Sequence, residues 1–443
     1  MKFINKGNFN NAVNQLKNDQ NNAVNEVYEN KINSNQKGQL ANVTFTLKNN
    51  YAKNFGHTDG SSNILKGFNP GYNATILDKL FAQGAQLVAT TNLDEFGLGG
   101  TGLYSNAGII LHPKNPKYLV GGSSSGSVAT FNDDLGFAIG SDTGDSVRLP
   151  ASNIGKVGFK PSYGAVSRYG LFAYASSLDT VAWFTHNVND SICLAQTLFG
   201  QDKMDLTSLN LPIHDVKLTK PKTIAYLDCF DHLSDYVANA YQKLIDKIKQ
   251  DPSIKLTKIK PDLALLNSIK TVYDIISFAE ASSNLSNLTG IGFGNRQPGE
   301  SWEEIIKNTR SNGFGFMVQR RLALGSFYLE KENQQDIFLR AQKIRRLIVD
   351  WFTKIHQAND IFIYPASATI APLKDAEIEF STDYMGSILT GANLVGNPSI
   401  SIKLNEHQSM PFNLAIDGLI YQDQNLLSYG LWIEELIKGV AND

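Results

Sequence analysis

The sequence predicts an α/β protein in which short strands alternate with helices around a sheet. Three stretches carry that expectation. The residues from Ala41 to Leu47 alternate apolar and polar with period two, as a half-buried strand does. An amphipathic stretch from Ala74 to Gln83 runs into the short apolar segment Gln86 to Thr91, completing strand, helix, strand. The glycine-serine tract Gly121 to Ser127 leads into a helix from Val128, and the apolar run Leu135 to Gly140 follows it as a buried strand.

The other elements follow from the same periodicities. Phe9, Ala12, Val13, Leu16, Val24 and Val27 fall near helical spacing, which predicts an interrupted amphipathic helix from Phe9 to Tyr28. Beyond about residue 200 helices take over. Tyr236, Ala240, Leu244, Ile245 and Ile248 share one helix face, and Ile337, Ala341, Ile344, Leu347, Ile348 and Trp351 mark a second, longer helix. Ile361 to Tyr364, Ile400 to Ile402 and Phe412 to Ile416 read as strands, so the last section is expected to return to the first sheet. No Pro/Gly linker and no internal repeat divides the chain. Residues 1–443 are read as one domain, with a core over about 40–200, a more helical section over about 201–360 and a closing section over about 361–443.

Composition narrows the function. At 443 residues the chain can bury a large core, and 42% hydrophobic with 19% charged residues excludes a disordered protein. Lys plus Arg number 40 against 42 Asp plus Glu, so the net charge of −2 supplies no basic field to hold nucleic acid or an anionic membrane. Cys193 and Cys229 are the two cysteines, which argues against a disulfide framework or a Cys-based zinc site and agrees with a reducing compartment. The N-terminal residues lack the apolar run of a secretory signal, and no stretch reaches bilayer-spanning length. A cytoplasmic protein with no membrane contact is expected.

The segment richest in chemistry joins Gly121 to Ser127 with Gly140 to Ala151. A flexible linker would not run into an apolar strand and then a second turn containing Ser, Asp, Thr and Arg. A phosphate cradle requires a Lys after its glycines, and none follows here. Gly122 to Gly126 does satisfy the nucleophile elbow of α/β-hydrolases, which would make Ser124 the nucleophile. In so serine-rich a tract that match carries little weight. His186, His214, His232, His356 and His407 follow without a suggestive local motif, and neither a His-rich helix pattern nor a Cys pair offers a metal site.

Taken together, the two serine loops resemble the amidase signature family. The family's upstream Lys, its Gly-Gly-Ser-Ser loop and its second Ser-Asp-Thr-Gly-Gly-Ser loop are matched here around Lys48, Ser123 and Ser146. Further matches, to the branch of tRNA-dependent amidotransferases, are Asn92 to Phe96, Lys160 to Gly164, Ser167 to Gly170, Ala175 to Asp179, Glu280 to Ser286, and Arg320 and Arg321 with Gly325. The resemblance implies one large α/β domain whose mixed central sheet is flanked by helices on both faces. It also implies a Ser-Ser-Lys triad in which Ser146 attacks an amide carbonyl, Ser123, held by a cis peptide in the family, relays the proton, and Lys48 is the base. A serine hydroxyl is a poor nucleophile until a base takes its proton. A lysine can take it only when neutral, so burial must depress a pKa that is about 10.4 in water. Lys48 directly follows the alternating run, which would carry it from a strand end into the interior.

By the same resemblance the backbone N–H groups of Thr143, Gly144, Asp145 and Ser146 form the oxyanion hole. Asp145 stands where the family usually has Gly, and its carboxylate must point away from the developing anion or the site is impaired. Asn49 replaces the usual Asp after Lys48, which makes a neutral amine easier to reach. For substrate, the resemblance puts Arg321 on the α-carboxylate of glutamine, since a guanidinium fork suits a carboxylate. The family's Asp for the α-amino group falls near Ser387, and Asp383 is the carboxylate closest to that place. The implied activity is glutamine hydrolysis, with ammonia passing to B and C subunits that convert Glu-tRNA(Gln) to Gln-tRNA(Gln), Asp-tRNA(Asn) to Asn-tRNA(Asn), or both. ATP and Mg2+ would be used by the partner, with no cofactor and no metal in this chain. A stand-alone amidase on a small amide is the alternative, and a structural subunit whose catalysis has been lost is another, motivated by Asp145.

Overall fold

The strand-forming segments assemble into one mixed, eleven-stranded sheet. The computed structural model describes residues 1–375 and 383–442. In chain order the strands are β1 (Val24–Val27), β2 (Thr44–Lys48), β3 (Gln86–Thr91), β4 (Phe137–Asp142), β5 (Val157–Lys160), β6 (Thr180–Thr185), β7 (Thr223–Leu227), β8 (Lys255–Ile259), β9 (Ile361–Pro365), β10 (Ser399–His407) and β11 (Met410–Asp417). The helices are α1 (Phe9–Lys17), α2 (Thr75–Ala82), α3 (Ser125–Ala129), α4 (Arg148–Ile154), α5 (Val188–Leu198), α6 (Asp235–Lys249), α7 (Leu263–Asn284), α8 (Trp302–Gly313), α9 (Phe316–Leu329), the short α10 (Lys331–Asn333), α11 (Leu339–Ala358), α12 (Gly391–Val395) and α13 (Asp423–Asn442).

The strand order is β1-β3-β2-β4-β6-β5-β10-β11-β9-β7-β8. β2 runs parallel to both β3 and β4, so the C-terminal ends of all three open on one edge. The late hairpin β10–β11 is inserted between β5 and β9, which ties the C-terminal section to the strands of the first half. Period-two alternation sorts the strand side chains into two cores. Leu87, Phe137, Ile139, Val181 and Trp183 belong to one, and Val88, Ala138, Ala182 and Phe184 to the other. Both faces are therefore covered, as a buried mixed sheet requires, and α1 seals the second core with Phe9, Ala12, Val13 and Leu16.

Two local expectations change. The leading helix ends at Lys17, well short of Tyr28. Asp19 stops it: its carboxylate accepts from the N–H groups of Asn21, Ala23 and Val24, which turns the chain. The residues after the turn become β1, an edge strand antiparallel to β3. The helix after the glycine-serine tract begins at Ser125 and not at Val128. Small side chains allow that helix to be wholly buried, from Ser125 through Ala129.

Candidate active site

Lys48 is the last residue of β2, and because β2 lies between β3 and β4 its side chain has no route to solvent. In the parallel register Leu47 stands beside Ile139, so Lys48 reaches the end of β4 where the chain leaves the sheet at Asp142. Polar groups converge there because both strand ends are interior and the two serine loops that meet them are built mainly of small residues. The Lys48 Nζ lies 2.8 Å from Ser123 Oγ, 2.9 Å from Ser141 Oγ and 3.1 Å from Ser124 Oγ. Burial pushes the amine down to about 7, against the opposing fields of Asp94, Asp142 and Asp179.

Ser123 follows a cis peptide bond after Gly122. A Cβ at Gly122 would sit 2.2 Å from the Asp94 carboxylate, so only glycine fits there. Asp94 in turn accepts from the N–H groups of Thr101, Gly102 and Tyr104 and anchors the neighbouring loop. Ser124 is fully buried, and its hydroxyl donates to the Ser141 carbonyl at 3.2 Å. Its proton is thus committed and its side chain has no open face, which removes the nucleophile-elbow expectation for Ser124. The Ser124 N–H also donates to the Ser146 carbonyl at 3.3 Å, which ties the first serine loop to the second.

The loop Thr143 to Ser146 is held from beneath. Arg148, entirely buried, donates to both oxygens of Asp142, to the Gly144 carbonyl at 2.8 Å and to Asn393 Oδ1 at 2.6 Å. Burial would raise the Asp142 carboxyl, and the Arg148 guanidinium overrides it and holds the group below its ordinary range. Thr143 Oγ1 donates to Asp179 at 2.7 Å, whose carboxyl burial pushes up to about 6. So fastened, the loop leaves the N–H groups of Thr143, Gly144, Asp145 and Ser146 without hydrogen bonds among the described residues. Such buried unpaired N–H groups are rare and favour an anion. The Ser146 hydroxyl is likewise without a hydrogen bond among the described residues and is 5% exposed.

Helices α7 and α9 wall the loop. A Cβ on Gly144 would stand 3.1 Å from the Tyr273 ring of α7, so the loop backbone packs directly against that helix. Arg321, on α9, donates from Nη1 to the Tyr174 hydroxyl at 3.0 Å, while its buried Nε has no partner. Asp145 is partly buried, and burial with the nearby Asp142 charge pushes its carboxyl up to about 7. The Arg148, Lys270 and Arg321 charges act in the opposite sense, so the side chain lies in the field of the α7–α9 wall. Asp383 lies apart from the serines: its Oδ2 is 2.8 Å from His232 Nδ1, and its Oδ1 accepts from the Met385 N–H.

Several positioning residues escape a reading of the sequence. Asp142 and Arg148 stand inside the second loop and Asp179 inside the matched segment Ala175 to Asp179, so a signal exists for each. Asn393 has none: it donates to Asp142 from a helix remote in sequence. Among the described residues there is no cluster of His, Cys, Asp or Glu suited to a metal ion, and no helix is long and apolar enough to cross a membrane.

Comparison with known proteins places this geometry. The family model described as Amidase matches residues 5–427. The A subunit of glutamyl-tRNA(Gln) amidotransferase from Mycoplasma genitalium is 36% identical over 427 residues, covering 93% of this chain and 90% of that one. The protein of the same name from Aliarcobacter butzleri is 38% identical over 387 residues, covering 85% and 84%. The crystal structure of the corresponding A subunit from Thermotoga maritima aligns with a TM-score of 0.79 at 28% identity, covering 95% of this chain and 90% of that one. The structure of 6-aminohexanoate cyclic dimer hydrolase, at 19% identity, a TM-score of 0.77 and coverage of 92% and 87%, shares the fold.

Proposed function

The chain belongs to the amidase family, and we propose that it is the glutamine-hydrolysing subunit of a tRNA-dependent amidotransferase, with Lys48, Ser123 and Ser146 as its catalytic triad. The observation that carries the reading is the buried Lys48 amine, brought down to about 7 and in contact with the Ser123 hydroxyl at 2.8 Å. A neutral amine has two N–H groups and one lone pair. Ser124 Oγ commits its own proton to the Ser141 carbonyl and accepts one N–H, and Ser141 Oγ accepts the other. The lone pair is then left facing Ser123. Ser123 passes a proton to Lys48 as it takes one from Ser146, whose Oγ adds to the carboxamide carbon of glutamine.

The negative charge that forms on the amide oxygen meets the free N–H groups of Thr143 to Ser146, held in place by the Asp142–Arg148 pair. Proton return through Ser123 releases ammonia and leaves a γ-glutamyl ester on Ser146, which water then cleaves. Arg321, with an unused buried N–H, suits the substrate's α-carboxylate. The name shared by the relatives supports delivery of the ammonia to Glu-tRNA(Gln). Asp-tRNA(Asn) is a second acceptor of the same chemistry. B and C subunits would supply aminoacyl-tRNA binding and the ATP- and Mg2+-dependent activation, which agrees with a chain that carries no basic excess and no phosphate loop.

The test is covalent trapping. An electrophilic glutamine analogue is expected to label Ser146 in the assembled complex, and Ser146→Ala to abolish both label and ammonia release. Label on Ser124, or none on any serine, sinks the assignment. Asp145 favours one competing reading, a structural subunit that has lost catalysis. Glutamine turnover that depends on Ser146 rejects it.

A further inference from the structure

Resting on the glutaminase reading, we infer that the Asp145 carboxylate binds the α-ammonium group of the amino-acid amide substrate. A substrate carrying both an α-carboxylate and an α-ammonium needs a cation and an anion at fixed places near the nucleophile, or its buried charges go unpaired. The α7–α9 wall offers the cation, the Arg321 guanidinium with its free Nε. Most carboxylates near the loop are already engaged. Asp94 is taken by three backbone N–H groups, Asp142 by Arg148, and Asp179 by Thr143 and the N–H groups of Tyr174 and Ala175. Asp274 pairs with Lys270, and Asp383, which lies apart from the loop, pairs with His232. Among these carboxyls only Asp145 has no hydrogen-bond partner among the described residues.

Its position agrees with that role. Asp145 adjoins Ser146 in the chain, and the α-carbon of glutamine is three bonds from the amide carbon that Ser146 attacks. A group holding the α-ammonium must therefore lie close to the nucleophile, within reach of an adjacent side chain. The Tyr273 ring of α7 packs on the adjoining Gly144, and the charges of Arg321 and Lys270 act on the Asp145 carboxyl. The pairing also resolves the conflict with the oxyanion hole. A carboxylate neutralised by an ammonium no longer opposes the charge forming on the amide oxygen. Burial already pushes this carboxyl up to about 7, which removes part of its charge near neutrality before any ammonium arrives.

The experiment compares glutamine with glutaramate, the same amide without the α-amino group, on the assembled complex. The ratio of kcat/KM for the two does not depend on how much of a variant is folded. In Asp145→Asn it is expected to fall about 10- to 100-fold, the scale of one lost charge-assisted hydrogen bond. Asp145→Glu, which keeps the charge, is expected to recover part of it. An unchanged ratio in an active Asp145→Asn complex overturns the subsite and leaves the glutaminase reading standing, as does a fall of that size in Asp383→Asn in place of Asp145→Asn. An unsubstituted complex that hydrolyses neither compound removes the glutaminase reading and this subsite with it.

Discussion

Lys48 and Lys160 end two strands of the same sheet, both are fully buried, and burial pushes both amines down to about 7. Their partners differ in kind. Lys160 Nζ donates to the backbone carbonyls of Pro161 at 3.1 Å and Asn397 at 2.5 Å, groups that can only accept. Lys48 meets three serine hydroxyls, of which Ser124 has committed its proton to the Ser141 carbonyl while Ser123 still has one to give. A depressed pKa therefore does not identify a base. The base is the amine whose neighbour has a proton to give, and the other is a structural donor.

Substitution breaks the comparison most directly. Lys48→Met is expected to cut glutamine hydrolysis about 1,000-fold, the scale of a lost general base, with the folded circular-dichroism spectrum kept. Turnover close to that of the unsubstituted chain would mean that Lys48 is as structural as Lys160. Lys160→Met should do the reverse. It leaves the carbonyls of Pro161 and Asn397 without their donor, so denaturant unfolding should show a loss of about 1–3 kcal/mol while turnover persists.

The pH profile sharpens the contrast. Below about 7 the Lys48 amine is protonated and has no lone pair, so kcat/KM for glutaramate, which has no ammonium for Asp145 to hold, should fall about tenfold per pH unit on the acid side and level off above the inflection. That inflection should survive in Lys160→Met; its loss there would assign it to the wrong amine. The smallest expected effect is that of Ser124→Ala. This change removes one acceptor that orients the Lys48 lone pair, and a loss of about tenfold or less in kcat is expected with KM unchanged. A loss as large as that of Ser146→Ala would return Ser124 to the role of nucleophile.

How far the sequence could be read depended on whether the information was local. Gln86 to Thr91 coincides with β3 because a short apolar run directly after an amphipathic helix has one good solution in an α/β sheet. Phe9 to Tyr28 misleads because apolar spacing alone does not show where a helix stops. The Asp19 turn and the open edge of β3 make a strand of its second half. In the site, the serine loops and Arg321 are legible from motifs, yet the loops' support is not, since Asn393 and Tyr273 come from helices far along the chain.

The sequence by itself determined the chemical inventory: two serine loops, a lysine at a strand end, and an aspartate in a turn otherwise made of small residues. Tertiary structure decided what each group does. Whether an amine is neutral, whether a hydroxyl still has its proton to give and whether a carboxyl has a partner are properties of surroundings. Those surroundings are assembled from β2, β4, α7, α9 and α12, which only the folded sheet brings together.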